Sequence, residues 1–239
     1  MAPNLDGASQ RSAYWLFAVV RALPVAAVAL WITFTANHSA TFGLLAFGLF
    51  GVVGGVVLGV LAFFRLRLSR VRSFFLAQAI VTIVAGGIAL AIPTGGTPYL
   101  FFVLTLFAAI TGLLELFSGV RSRGRFVAAR DWMAVGAFTI IAAIVFLLIP
   151  PGFTQSFKDP DGVVRVLDSA VIAVGVLGAY AAIVTVYLLI AGLSAKWDTQ
   201  AAPAHQSAQS AQAAPAVQLS EAQPTSTTTD TTTEGETTA

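Results

Sequence analysis

The chain has 239 residues, 57% hydrophobic and 10% charged, with a formal net charge of +2 and a mean hydropathy of +0.84. Soluble domains carry about 25% charged residues, so this balance excludes a soluble globular protein. Cysteine is absent, which removes disulfides, thiolate catalysis and cysteine metal sites.

Six apolar stretches follow one another, at 13–34, 42–64, 74–92, 99–118, 131–149 and 168–193. About 20 residues span a bilayer core as a helix, and lipid offers the backbone no hydrogen-bond partner, so each stretch is expected to be a transmembrane helix. The alternating polarity of barrel strands is absent. The first stretch exceeds the roughly 7–15 residues of a signal-peptide core, and "TANHSA" is only a weak cleavage-like site. It carries Arg21 and Pro24. The second holds Gly51, Gly55 and Gly59 at intervals of four, with Gly48 and Gly54 nearby. Such a smooth stripe admits a neighbouring helix, inside the monomer or between protomers of a homo-oligomer. Gly86 and Gly87 invite the same reading on the third stretch, where Gln78 and Thr82 share a face and can bond across helices. The fourth contains Glu115, shortly before an arginine-rich loop. Asp131 and Asp168 open the fifth and sixth, placed to cap free N–H groups. Tyr180 and Tyr187 share a face of the sixth and read as packing residues. Trp15, Trp31, Trp132 and Trp197 lie near span ends, as an aromatic belt requires. Between the last two stretches, "KDPDG" (158–162) is a turn by composition.

Basic residues are distributed unevenly. Arg11, Arg65, Arg67, Arg70, Arg72, Arg121, Arg123, Arg125, Arg130 and Lys196 fall on one side of the predicted membrane; only Lys158 and Arg165 fall on the other. This positive-inside bias places both termini in the cytoplasm of a multi-pass plasma or inner-membrane protein. It also accounts for the pI near 9.3 without nucleic acid, whose binding needs a basic stripe on a folded polar surface. The domain plan is a cytoplasmic segment 1–12, a membrane domain 13–197 and a tail 198–239. The tail is rich in Ala, Gln, Pro, Ser and Thr, cannot supply a core, and is expected to be disordered.

The membrane domain repeats itself. "WLFAVVRALPVAAVALWIT" (15–33) lies over "FLAQAIVTIVAGGIALAIP" (75–93), which lies over "WMAVGAFTIIAAIVFLLIP" (132–150). "LFGVVGGVVLGV" (49–60) lies over "LFAAITGLLELF" (106–117). The plan reads as three helical hairpins, about 13–64, 74–118 and 131–193.

Tandem hairpins, proline-ended helices, and Gly112 and Glu115 followed by "VRSRGR" make the chain resemble the HdeD family of small bacterial membrane proteins. The likeness covers about 13–193. It departs at Leu58, where the second hairpin has Glu115, and at Thr33, where the other two have proline. The resemblance implies six membrane helices and a role in acid-stress resistance, and brings no catalytic residues. "FTANHSA", "ARDWMAVGAFTI" and "VGVLGAYAAIVTVYLLIAGLS" are similar to actinobacterial membrane proteins sometimes labelled acyl-CoA synthetase. That label implies a Ser/Thr/Gly-rich phosphate loop ending in lysine, and the Thr-rich run here is acidic and lacks the lysine.

Two charges inside the apolar stretches are the candidate site. Arg21 and Glu115 belong to the same leaflet, so they either pair between hairpins, snorkel separately to the cytoplasmic surface, or line an ion path. His38 in a loop and His205 in the tail show no metal-ligand spacing. No metal, cofactor or small-molecule ligand is expected. The function that follows is a non-catalytic, stress-related membrane protein whose partner is the lipid bilayer. The alternative is a small transporter or channel using Arg21, Gln78, Thr82, Thr105, Thr111 and Glu115.

Overall fold

The computed structural model describes residues 4–65, 69–124, 126–158, 160–162 and 164–221. The six apolar stretches form α1 (Asn4–Phe34), α2 (Ala40–Arg65), α3 (Ser69–Ala91), α4 (Gly96–Arg121), α5 (Ala129–Leu148) and α6 (Ser169–Glu221). Each contains a stretch of 20 to 29 residues long and apolar enough to cross a bilayer. Large apolar side chains such as Leu23, Phe34, Phe64, Phe102 and Leu147 are exposed on the outside of the bundle. Water would penalise such a surface and lipid accepts it. The chain is therefore a multi-pass integral membrane protein.

Turn chemistry ends the helices. Gly96 and Gly124 adopt φ of 77° and 74°, a left-handed backbone that glycine enters without a side-chain clash. Tyr99 donates its hydroxyl to the Ile88 carbonyl at 2.8 Å, fastening the α3–α4 connection.

Two apolar clusters mark the ends of the bundle. One gathers Tyr14, Phe17, Leu61, Ala62, Val71, Phe75, Ala128, Trp132 and Ala195. These sit beside the helix ends that carry the basic loops. The other gathers Ile32, Phe42, Leu44, Phe47, Leu100, Leu104, Phe146 and Val174. Trp132 belongs to the first cluster, 1% exposed and against Phe75 and Phe126. It is a core residue and not part of an aromatic belt, because hydropathy places a tryptophan at a depth but not on a face. Trp31 and Trp197 are exposed.

Glycines set the closest helix approaches. A Cβ at Gly51 would meet the Gly86 Cα at 2.6 Å and the Thr82 carbonyl oxygen at 2.8 Å; one at Gly55 would meet the Ala79 carbonyl oxygen at 2.9 Å. Gly59 has only the Ala79 methyl in reach, at an ordinary 3.5 Å. The stripe on α2 is thus used against α3, inside the monomer. On α4, a Cβ at Gly112 would meet the Ile140 nitrogen at 3.0 Å, and one at Gly119 the Met133 nitrogen at 2.7 Å, so α4 and α5 make a second seam.

One feature departs from the sequence-based expectation. The loop after α5 contains an antiparallel hairpin, β1 (Thr154–Lys158) and β2 (Val164–Asp168), paired from Thr154 with Asp168 to Lys158 with Val164. Residues 160–162 of the "KDPDG" stretch, described between the strands, form a turn, with Gly162 at φ 76°. Five-residue strands such as Thr-Gln-Ser-Phe-Lys and Val-Arg-Val-Leu-Asp are too brief to stand out beside membrane helices. The chain divides into two units, Met1–Thr199 and Gln200–Ala239, and α6 runs from the first into the second, with helical backbone as far as Glu221. The composition after 198 supplies no core, which fits the expected disordered tail. Residues 222–239 of the expected tail lie outside the described residues.

Candidate functional site

Three helices deliver one buried polar knot. Arg21 of α1 donates Nη1 and Nη2 to Oε1 and Oε2 of Glu115 on α4, both at 2.5 Å. Gln78 of α3 donates Nε2 to Glu115 Oε2 at 2.9 Å. Glu115 is 1% exposed. The fork-on-fork geometry matches the planar guanidinium to the carboxylate and is the strong form of an ion pair. Of the three arrangements open from sequence, the structure holds the paired one; neither side chain reaches out to water separately. Phe75 lies under the guanidinium at 5.8 Å, adding a cation–π contact.

All six helices surround this knot. They enclose a cavity of about 50 Å³, lined by Arg21 and Pro24 from α1, Phe50 and Gly54 from α2, Gln78 and Thr82 from α3, Thr111 and Glu115 from α4, Thr139 from α5 and Tyr180 from α6. That space suits a few water molecules. The threonines are hydrogen-bonded into their own helices: Thr82 donates to the Gln78 carbonyl, Thr111 to Phe107 and Thr139 to Val135. Their remaining lone pairs can serve as acceptors for the cavity. Tyr180 and Thr139 share a hydrogen bond of 2.7 Å. Pro24 removes an amide hydrogen from α1 at this level, leaving the Val20 carbonyl without its helical donor. Toward the end opposite the basic loops, Phe47 and Phe50 each pack edge to face on Phe107, and Phe50 and Phe107 line the cavity. Thr105, read from sequence as part of a polar path, does not line it; Thr139 and Tyr180 do.

A second polar group sits near the basic end. Asp131 is in the first turn of α5, whose N-cap position is Ala128 with no side-chain cap. Its carboxylate instead accepts from Tyr14 of α1 at 2.9 Å and Tyr187 of α6 at 3.1 Å. The capping expectation fails because α5 begins earlier, at Ala129, which puts Asp131 inside the first turn and not at its cap. Asp168 does cap: its Oδ1 accepts from the Val171 amide at 2.9 Å. Tyr180 and Tyr187, read as packing residues, both use their hydroxyls. Their seven-residue spacing was a usable signal for a shared face, but their partners lie 41 and 56 residues away.

The described basic side chains of the connections do not line either site. Arg121, Arg123 and Arg130 are exposed; Arg72 lies over the Phe63 ring at 5.6 Å and Lys196 over the Trp15 ring at 5.2 Å. Arg67 and Arg125 lie outside the described residues, and for Arg65 and Arg70 only the backbone is described. Among the described residues there is no group of three His, Cys, Asp or Glu side chains able to hold a metal.

The fold and the site define a class: a six-span membrane protein with a charged pair buried among its helices. A scan against protein-family models finds no match to this chain, and searches of curated proteins and of solved structures find none either.

Proposed function

We propose that this is a non-catalytic membrane protein of the HdeD type, acting in resistance to acid or envelope stress, with both termini in the cytoplasm. The observation that carries the non-catalytic reading is the self-contained polar centre. Glu115 spends both oxygens on Arg21 and Gln78, and Phe50 and Phe107 line the cavity beside it. A catalytic carboxylate needs an approach for substrate, and this one has a few waters' worth of space. The stress role rests on the Gly112–Glu115 and "VRSRGR" resemblance. Its test is survival of a deletion strain at low pH: lower survival than the parent, restored by the full chain, is expected, and unchanged survival rejects the role.

A second reading, transport of a small solute, draws on the cavity to which all six helices contribute. Flux of protons and small ions into proteoliposomes separates the two. The non-catalytic reading expects no flux above protein-free vesicles. Flux that disappears in Glu115→Gln favours transport.

A further inference from the structure

We propose that the pocket around Asp131 binds a primary ammonium group, presented by an aminophospholipid headgroup at the membrane surface. The pocket has a volume of about 250 Å³ and lies between α1, α5 and α6, with Tyr14, Asp131, Tyr187, Ile190, Ala191 and Ser194 among its walls.

Depth comes first. Tyr14 begins the first span and Asp131 lies in the first turn of the fifth. The sixth span is 29 residues long, whereas about 20 cross the hydrocarbon. Tyr187 comes about that distance after Ser169, so all three groups sit where acyl chains give way to headgroups.

Charge comes second. A carboxylate offers about four lone-pair positions, and the two phenols occupy two. Phenol hydroxyls orient the carboxylate but leave its negative charge uncompensated. Arg21 is committed to Glu115, and Lys196 lies over Trp15. Among the described residues no cation is paired with Asp131. Among the described residues, then, this carboxylate at the bilayer boundary opens on a cavity with no cation paired to it, and a cationic ligand would complete the group.

The walls then choose the cation. A divalent metal needs about six oxygen ligands, and the pocket offers one carboxylate, two phenols and one serine beside aliphatic side chains. A quaternary ammonium is held by aromatic faces, whereas these two phenols present their oxygens. A primary ammonium has three N–H donors, which the Asp131 carboxylate and the free lone pairs of Tyr14 and Tyr187 can accept. Ile190 and Ala191 suit the glycerol and upper acyl carbons of a lipid.

The test is native mass spectrometry of the full-length protein in detergent, titrated with phosphatidylethanolamine or phosphatidylcholine of identical acyl chains. Charge-assisted hydrogen bonds of ordinary strength predict roughly 10- to 100-fold tighter retention of the ethanolamine lipid. Asp131→Asn should abolish the preference. Ala191→Phe, which fills the pocket but leaves the carboxylate in place, should abolish it too and guards against a folding defect in the first variant. Equal retention of the two lipids by the wild type, or a preference that survives both substitutions, overturns the proposal. Asp131-dependent binding of free ethanolamine without lipid selectivity overturns the lipid source.

Discussion

Arg21 and Glu115 satisfy each other in a place where neither could stand alone. Breaking a buried pair from one side leaves an uncompensated charge and costs about 3–5 kcal/mol, whereas replacing both partners with apolar residues is often neutral. Glu115→Leu is therefore expected to lower the thermal unfolding midpoint in detergent sharply. The double variant Arg21→Met with Glu115→Leu is expected to recover most of that loss. Exchanging the charges, Arg21→Glu with Glu115→Arg, should likewise be better folded than either single exchange; a double variant no better than the singles rejects a structural pair. Gln78→Leu removes one charge-assisted bond and should cost less, about 1.5–3 kcal/mol. The pair was legible in sequence as two costly charges in one leaflet. Its bidentate form and the Gln78 contact were not, because helix rotation decides them and hydropathy carries no rotation.

At the scale of helices, glycine decides which surfaces meet. A Cβ at Gly136 would meet the Leu116 Cα at 2.8 Å and the Gly112 carbonyl oxygen at 2.9 Å, whereas one at Gly87 would meet nothing within 4 Å. Gly136→Ala must push α5 off α4, and overpacking of this kind costs about 1–3 kcal/mol. Gly87→Ala gains helix propensity and should stabilise by roughly 0.5–1 kcal/mol. Unfolding midpoints of the two variants in one detergent check both signs. The stripe at Gly51 and Gly55 could be read from spacing alone. Its choice of α3 over a second protomer could not, since a smooth face fits either. Nor could Asp131 be read: an acidic residue opening a helix has the same signature whether it caps or accepts from distant phenols. Six stretches of the right length were fully legible, because lipid imposes one backbone solution on each.

For the whole molecule, orientation decides which compartment can reach the polar centre. Glu115 is six residues from Arg121, or ~9 Å along α4, so the centre lies closer to the basic end. On the opposite side Phe47 and Phe50 pack on Phe107. If the arginine-rich loops face the cytoplasm, as their charge bias requires, any water exchanging with the cavity has the shorter route from the cytoplasm. The chain contains no cysteine, which makes it its own background for thiol mapping. Thr94, Asp161 and Arg123 are exposed, the first two in connections away from the basic end and the third within it. A membrane-impermeant maleimide applied to intact cells should label Thr94→Cys and Asp161→Cys, and should label Arg123→Cys only after permeabilisation. The reverse pattern would turn the protein over, put the cavity's shorter route on the external side, and move the Asp131 pocket to the outer leaflet. Labelling at all three positions in intact cells would mean mixed insertion, which a ten-to-two bias of basic residues should prevent.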